Sequence, residues 1–410
     1  MKGTQLLRQS PTDQPRTLHA RLLALLVAAT FLVFFFQAFM VAPLIPRLAD
    51  VFDTSTGVIG IAVPAYLIPY GAMTLVWGPL SDRLGCGRVI LASLAAFAVL
   101  TALTAAANGA EAFIAIRLVT AIGASGVVPI ALALIGDRVP YAQRGRALGW
   151  LFGAMAGAMA FGSSAGALLE PVVGWRGLFV GVSVLAIAVL VALARHRALL
   201  GWEPTTTAPP PPRKVAAGYI SLLRQPRARR TYAYVLFNAI LHSGIYTWLG
   251  LYFARRHHLP EAQIGLALLG YGIPGFLLGP AIGRLTDRRG RARLIPLGLA
   301  VGAIAAFLLA PTVPVLVAAV TVTLLSLGYD LTQPLLGGIV TQLSENRGQA
   351  MALNVFMLFV GFGIGSLLFQ ALLSALDFPG ALAVFGTAAA VAATAAVPLF
   401  ASETRAPAAA

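Results

Sequence analysis

Long apolar runs separated by short polar segments dominate this chain of 410 residues. A helix rises about 1.5 Å per residue, so a run of roughly 20 apolar residues crosses the ~30 Å hydrocarbon core of a bilayer. The pattern predicts an all-α membrane protein with twelve transmembrane helices. We number these helices spans 1–12, at residues 21–45, 57–79, 88–108, 111–136, 146–169, 175–195, 232–254, 262–284, 292–311, 314–340, 349–373 and 379–401.

Composition agrees with this pattern, since 59% of residues are hydrophobic and only 10% are charged. Soluble domains carry about 25% charged residues. One long polar interruption, 196–230, contains the stiff stretch Pro209–Pro212 and divides the chain in two. The predicted organisation is an N-terminal segment, a six-helix bundle, a linker, a second six-helix bundle and a tail, at 1–20, 21–195, 196–230, 231–402 and 403–410. The linker is interpreted as a spacer, with a docking site for a partner as the alternative.

Placement of charge predicts the topology. The net charge is +15, and with twelve spans both termini share one side, which carries 24 of the 29 Lys and Arg residues. Basic residues concentrate on the cytoplasmic side of membrane proteins, so we expect a multi-pass protein of a bacterial inner (cytoplasmic) membrane with both termini in the cytoplasm. These basic residues are expected to face anionic membrane lipid rather than nucleic acid.

One polar loop occurs twice. Residues 78–88 and 283–293 are 205 positions apart and identical at six of eleven positions. Each copy lies between two apolar runs, in corresponding places of the two halves. A duplicated loop of this kind is typical of secondary transporters built from two similar bundles, so we expect two pseudo-symmetric halves of six helices each.

These residues resemble the Major Facilitator Superfamily of secondary transporters, over nearly the whole chain. The first loop copy fits the family signature between spans 2 and 3, although Cys86 and Gly87 replace its basic pair. Pro43 and Pro46 at the end of span 1 resemble the drug/proton antiporter subgroup. The segment Gly162–Gly166 departs from that subgroup's span 5 motif, because its proline and second glycine are missing.

The resemblance implies a gate at the cytoplasmic ends of the helices. In the family, the residue matched by Asp82 faces the start of span 11, and the residue matched by Arg83 pairs with that matched by Asp137. The alternative is that the loops hold only topology determinants and solvated charge pairs. The predicted gating residues are Gly78, Asp82, Arg83, Gly85, Arg88, Asp137, Gly283, Asp287, Arg288 and Gly290.

Asp330 is the one acidic residue among fourteen that lies deep within a predicted span. An ionisable group at that depth costs about 2.5–3.5 kcal/mol on insertion scales, so a functional role is the default hypothesis. Pro334 lacks an N–H group and leaves the Asp330 carbonyl without its helical donor, which predicts a kink there. The sequence predicts a proton or substrate site at Asp330, with a protonated, structurally hydrogen-bonded Asp as the alternative.

His242 is the expected partner of Asp330 in proton coupling, since histidine titrates near neutral pH. Asn238, His242 and Tyr246 recur every four residues and share one helix face. The resemblance implies that spans 1, 4, 7 and 10 line a central cavity, which would bring Gln37, Arg117, Asn238, Tyr246, Tyr329 and Gln333 together as substrate-cavity residues. Arg117 has two interpretations, a fixed charge for an anionic substrate or a structural and coupling element.

The sequence contains no Walker loop, dinucleotide fingerprint or Cys/His metal cluster, and Cys86 is its only cysteine. We therefore expect no enzyme activity, cofactor or metal. The predicted function is monomeric, alternating-access, proton-coupled export of small amphipathic or cationic compounds, with protons and a small-molecule substrate as ligands. The alternatives are a metabolite or organic-anion importer or facilitator of the same fold, and a non-transporting receptor or scaffold that uses the linker.

If Asp82 belongs to a gate, Asp82→Asn will slow turnover much more than it weakens substrate binding, because it changes the balance between the two access states. Cysteine labelling of both cavity mouths measures that balance, and Asp287→Asn is the repeat-matched comparison with a smaller expected effect. Unchanged labelling on both sides in Asp82→Asn would exclude a gating role.

Overall fold

The computed structural model describes residues 13–34, 39–138, 141–197, 200, 212–275, 277–278, 282, 285, 290–344 and 346–403. Within these ranges the chain is helical, with no strand. The helices of the N-terminal half are Asp13–Phe34, Ile45–Val51, Thr56–Gly60, Pro64–Leu84, Cys86–Ala105, Ala110–Ala124, Val127–Arg138 and Tyr141–Arg195. A helix at Pro212–Arg224 follows, and those of the C-terminal half are Pro226–His257, Glu261–Ala267, Arg291–Leu309, Val315–Asp330, Gln333–Val340 and Arg347–Leu399.

Seven helical stretches in the described part of the chain are long and apolar enough to cross a membrane. Two of these helical ranges each contain two helices, one for each of a pair of predicted spans. Tyr141–Arg195 holds spans 5 and 6 and reverses at Gly174 (φ 68°), and Arg347–Leu399 holds spans 11 and 12 and reverses at Asp377 (φ 57°). The prediction of an all-α membrane fold is confirmed.

The backbone repeats as the sequence does. Gly85 and Gly290, 205 positions apart, precede the helices of spans 3 and 9 with φ of 90° and 77°. Left-handed φ values are open to glycine and costly for other residues, which explains why both loop copies keep glycine at this position. Gly174 and Asp377 form a second matched pair at the reversals just described.

Four helices are interrupted at matching positions of the repeat. Span 2 breaks between Gly60 and Pro64, and span 8 breaks after Ala267, with helical backbone resuming at residue 273. Span 4 breaks between Ala124 and Val127, and span 10 between Asp330 and Gln333. The kink predicted from Pro334 is confirmed, because the first helix of span 10 ends at Asp330.

Glycines seal the two halves together at one end of the bundles. We call the end that carries the linker helix and Glu403 the linker end, and the opposite end the far end. A Cβ atom on Gly60 of span 2 would overlap the Trp248 ring of span 7, and one on Gly265 of span 8 would lie 3.0 Å from the Ser164 carbonyl oxygen of span 5. These two glycines are 205 residues apart, and we call their contacts with the opposite half the glycine seal. Gln370 Nε2 adds a hydrogen bond to the Gly57 carbonyl at 2.9 Å.

The linker contains a helix that the sequence analysis did not predict. Residues 215, 218, 219, 222 and 223 of helix Pro212–Arg224 are at least partly buried, the spacing of one helix face. The helix packs on the C-terminal half, where Gln349 Nε2 donates to the Val215 carbonyl at 2.8 Å. Part of the linker is therefore docked, and the interpretation of the whole of 196–230 as a spacer was incomplete.

Glu403 joins four helix ends of the C-terminal half. Its carboxylate accepts two hydrogen bonds from Arg227 at 2.8 Å and one from Arg230 at 2.5 Å, both at the start of span 7. The Ala292 N–H at the start of span 9 donates to the Glu403 carbonyl at 3.2 Å, and Gln342 beyond span 10 accepts from Arg227. Hydrogen bonds from Arg227 and Arg230 hold the pKa of Glu403 below its ordinary value.

The glycine seal predicts that Gly60→Ala will destabilise the conformation with a closed far end, because the added methyl group overlaps Trp248. Maleimide labelling of Ser164→Cys, which is buried at the seal, measures far-end opening in a Cys86→Ser background. We expect faster labelling in Gly60→Ala. Gly181→Ala is the matched control, since nothing lies within 4 Å of its added methyl group. Equal labelling of the two variants would contradict the assignment of the seal.

The Glu403 cluster predicts that Glu403→Gln will lower the free energy of unfolding by about 1–3 kcal/mol at pH 7. The pKa of Glu403 is lowered in the folded state. Its contribution is therefore present above the ordinary glutamate pKa of about 4.3 and is lost as the pH falls through the lowered value. Thermal unfolding in detergent measures the difference between wild type and variant, which we expect to shrink in acid. A difference that stays constant between pH 7 and pH 3 would contradict this origin.

Candidate functional site

Asp330 lies at the break in span 10 and binds the break in span 8. Its Oδ2 accepts a hydrogen bond from Ser326 Oγ at 3.2 Å, and Ser326 Oγ in turn accepts the Gly272 N–H at 2.8 Å. The backbone of Gly275 also hydrogen-bonds the carboxylate, and a Cβ atom on Gly275 would lie 2.5 Å from Oδ1. The carboxylate thus caps the N-terminus of the second helical part of span 8, where an anion is favourable.

Arg117 of span 4 bonds the break in span 2 of the N-terminal half. It is fully buried, and its Nε donates to the Ala62 carbonyl at 2.9 Å within the break of span 2. In an unbroken helix that carbonyl would accept the N–H of Tyr66, which here bonds the Val63 carbonyl instead. Its guanidinium lies 4.9 Å from the ring centre of Tyr66. The cation Arg117 is attracted to the partial negative charge of the freed helical carbonyl. The anion Asp330 is likewise attracted to the partial positive charge of freed N–H groups.

His242 is enclosed by tyrosines. Its Nε2 is hydrogen-bonded to the hydroxyl of Tyr271, a residue of the span 8 break. The Tyr329 ring stacks on the imidazole with 4.1 Å between ring centres. Tyr271 directly precedes Gly272, and Tyr329 directly precedes Asp330, so both partners of His242 are neighbours in sequence of residues in the hydrogen-bonded cluster of the acid.

Aromatic rings line a small cavity where the two halves meet. Tyr246 and Tyr271 lie with ring centres 3.8 Å apart, and Phe39 of span 1 is 5.5 Å from Tyr246. His242 and Phe362 complete the aromatic part of the wall. Because span 1 belongs to the N-terminal half and spans 7, 8 and 11 to the C-terminal half, this cavity lies where the halves would separate.

A second small cavity lies within the C-terminal half between spans 7, 9, 10 and 12. Asn238, His242 and Tyr329 line its polar side, and Asn238 Nδ2 donates to Gln333 Oε1 at 3.3 Å. The residues predicted to share one face of span 7 are therefore divided between the two cavities. Tyr246 faces the cavity between the halves, Asn238 faces the one inside the C-terminal half, and His242 contributes to both.

Not all predicted residues meet in one chamber. Arg117 lines neither of these two cavities and is directed at span 2. Gln37, Gly283, Asp287 and Arg288 lie outside the described residues, as do the side chains of Asp82 and Asp137. Of the remaining gating residues, Gly85 and Gly290 take left-handed φ values, Arg83 and Arg88 are exposed, and a Cβ atom on Gly78 would meet nothing within 4 Å.

Tyr271 is the residue that sequence reasoning missed. A signal for it exists at the repeat offset of 205, because Tyr66-Leu-Ile-Pro69 in span 2 matches Tyr271-Gly-Ile-Pro274 in span 8. Tyr66 follows the break in span 2 and Tyr271 lies in the break in span 8, and each contacts a buried ionisable residue, Arg117 in one half and His242 in the other. Extending the comparison of the halves from the loops to the breaks would have found it.

The known proteins similar to this chain include transporters and resistance proteins. The uncharacterized MFS-type transporter YwfA of Bacillus subtilis (strain 168) is 30% identical over 324 residues, covering 77% of this chain and 76% of the relative. A chloramphenicol resistance protein of Streptomyces lividans is 28% identical over 265 residues, covering 61% of this chain and 63% of that protein. The crystal structure of the human organic anion transporter MFSD10 (TETRAN) matches with a TM-score of 0.72 at 17% identity, over 95% of this chain and 100% of that chain.

The family model of the Major Facilitator Superfamily matches residues 27–262 and 251–410, which together include the duplicated loop, the broken helices and Asp330. The match agrees with the repeated backbone and with the resemblance found in the sequence motifs. This chain belongs to the Major Facilitator Superfamily and is a membrane transporter, not an enzyme.

Proposed function

We propose that this transporter exports small amphipathic or cationic compounds in exchange for protons. The observation that carries the proposal is the position of Asp330 at a helix break, linked through Ser326 to Gly272, whose neighbour Tyr271 lines the cavity between the halves. Insertion of a carboxylate at membrane depth costs free energy, so its presence there indicates a function. A proton is the coupling ion that this arrangement favours. His242 is proposed to pass protons or to sense the charge of the site through its bond to Tyr271.

The substrate class follows from the cavity wall. Phe39, Tyr246, Tyr271 and Phe362 offer aromatic faces, which attract organic cations and flat apolar rings. Asp330 adds a negative charge near this wall. A compound that carries both an aromatic or aliphatic body and a positive charge would therefore compete with the proton for the negative charge of Asp330.

Alternating access fits the packing between the halves. The glycine seal closes the far end, and at mid-depth Gly71 of span 2 packs against Phe359 of span 11. We propose that the halves rock about this contact, so that the cavity opens toward either end in turn. The predicted gating residues of the duplicated loop would act at the linker end.

We further propose the membrane placement suggested by the distribution of charge. The linker end, with both termini, would lie in the cytoplasm of a bacterial cell, and the far end would face outward across the inner membrane. The basic residues of the linker end would contact anionic lipid, and the monomer would be the working unit. The similarity to a chloramphenicol resistance protein supports export as the direction.

An organic-anion importer or facilitator is the second candidate. The fold of a human organic anion transporter matches this chain, although likeness at 17% identity concerns the fold alone. A buried cation that faced the cavity would favour this function. The Arg117 Nε bonds the Ala62 carbonyl, which supports the interpretation of Arg117 as a structural and coupling element.

The test of the proposed function is proton release upon substrate binding. Purified protein in weak buffer with a pH dye is mixed with candidate cationic compounds that stabilise it thermally. Wild type should release a proton at neutral pH, and Asp330→Asn should release none, because the amide does not titrate near neutral pH. The variant should also fail to concentrate substrate in proteoliposomes while it still exchanges substrate.

Asp377→Asn is the matched control, since this acid lies at the reversal between spans 11 and 12, away from both cavities. It should behave as wild type. Equal proton release from wild type and Asp330→Asn, with active transport intact, would remove Asp330 from the coupling and would favour His242 or a gradient-independent facilitator.

A further inference from the structure

Ser326 holds two groups that belong to different helices. Its hydroxyl oxygen accepts the Gly272 N–H of span 8 at 2.8 Å and donates its hydrogen to Asp330 Oδ2 at 3.2 Å. Ser326 is buried and lies one helical turn before Asp330 in span 10. Its two bonds link the acid to the break in span 8, and this link remains if the acid has no part in transport.

We infer that Ser326 is a positioning residue, and that with Asp330 it forms a charge-dependent cap that fixes the break in span 8. While Asp330 is ionised, the carboxylate accepts from Ser326 and from the backbone of Gly275. Hydrogen bonds to an ionised acceptor are roughly twice as strong as those between neutral groups. Addition of a proton removes this charge, so the bonds from Gly275 and from the Ser326 hydroxyl become bonds to a neutral carboxyl group and weaken.

The close packing at Gly275 makes this cap specific. A Cβ atom there would collide with Asp330, so glycine is needed for the carboxylate to reach the backbone of the helix start. Pro274 has no N–H group, so the first backbone donor after Ile273 in this helical turn is Gly275. Gly272, with φ of 77°, directs its own N–H to Ser326.

The titratable groups that face Asp330 in the described part of the chain are Tyr271 from span 8 and Tyr329 from span 10, with His242 of span 7 behind them. The phenols stay neutral near pH 7, since tyrosine ordinarily titrates near pH 10. A change in the span 8 break between pH 5 and pH 8 therefore has two candidate sources, Asp330 and His242, which separate variants distinguish.

The break separates two parts of span 8 that do different things. Gly265 in the first part belongs to the glycine seal at the far end, and Gly275 in the second part contacts the acid. A break that loosens when Asp330 takes up a proton would let the first part move relative to the second. This gives the transport cycle of the proposed function a specific element on which the proton acts, and to that extent the inference rests on the proposed function.

Hydrogen–deuterium exchange of the peptide that covers residues 268–275 tests the cap without substrate. Exchange rates in detergent are measured from pH 5 to pH 8 and divided by the intrinsic chemical rates. In wild type, protection should fall roughly fivefold as the pH is lowered, the effect of losing about one hydrogen bond. In Asp330→Asn the corrected protection should be independent of pH, and His242→Gln should retain the dependence.

Ser326→Ala should show low protection at every pH, and Ser326→Thr, which keeps the hydroxyl, should restore the wild-type profile. Thr321→Ala is the matched control, because the hydroxyl of this buried residue of span 10 bonds only the Val317 carbonyl of its own helix. Wild-type pH dependence in Asp330→Asn, or in Ser326→Ala, would overturn the inference.

The exchange and proton-release measurements test the cap and the proposed coupling separately. If protection depends on Asp330 but substrate releases no proton, the cap stands and the proposed coupling fails. If substrate releases a proton from Asp330 but protection does not change with pH, the coupling stands and the cap is overturned.

Discussion

Two membrane helices, spans 2 and 8, are interrupted at the same point of the repeat, and the rest of the structure depends on how the freed backbone groups are satisfied. In hydrocarbon there is no water to replace a missing helical hydrogen bond, so an exposed break is costly. Span 4 supplies Arg117 to the carbonyl of the span 2 break. Span 10 supplies Ser326 and Asp330 to the N–H groups of the span 8 break. Each ionisable side chain has the sign that its helix end favours.

This constraint explains why the proposed proton site and the proposed moving elements lie together. The breaks lie between the glycine seal at the far end and the aromatic cavity at mid-depth, so a change at a break reaches both. The linker end of the C-terminal half is held more firmly, because Glu403 joins the starts of spans 7 and 9 with the ends of spans 10 and 12. We therefore expect the C-terminal bundle to deform at span 8 rather than at its linker end.

Sequence reasoning predicted the features that depend on local pattern. Apolar runs predicted the spans, the loop at 78–88 and 283–293 predicted two similar halves, and Pro334 predicted the kink at Asp330. It did not predict side-chain partners that come from distant helices. The bond of Arg117 to Ala62 joins residues 55 positions apart, and that of Arg227 to Glu403 joins residues 176 apart. No local spacing records such pairs. Tyr271 differs, since the repeat offset carried its signal.

The opposite signs of Arg117 and Asp330 have a consequence for the membrane voltage. With both residues ionised, these two buried charges sum to zero, and a rocking motion that carries both carries no net charge through the electric field. If Asp330 takes up the proposed proton, the pair holds one net positive charge. A full elementary charge moved across 100 mV corresponds to about 2.3 kcal/mol, so the membrane potential would act mainly on the proton-loaded form. With the proposed coupling, the ionised and proton-loaded forms of the transporter therefore differ in electrical sensitivity.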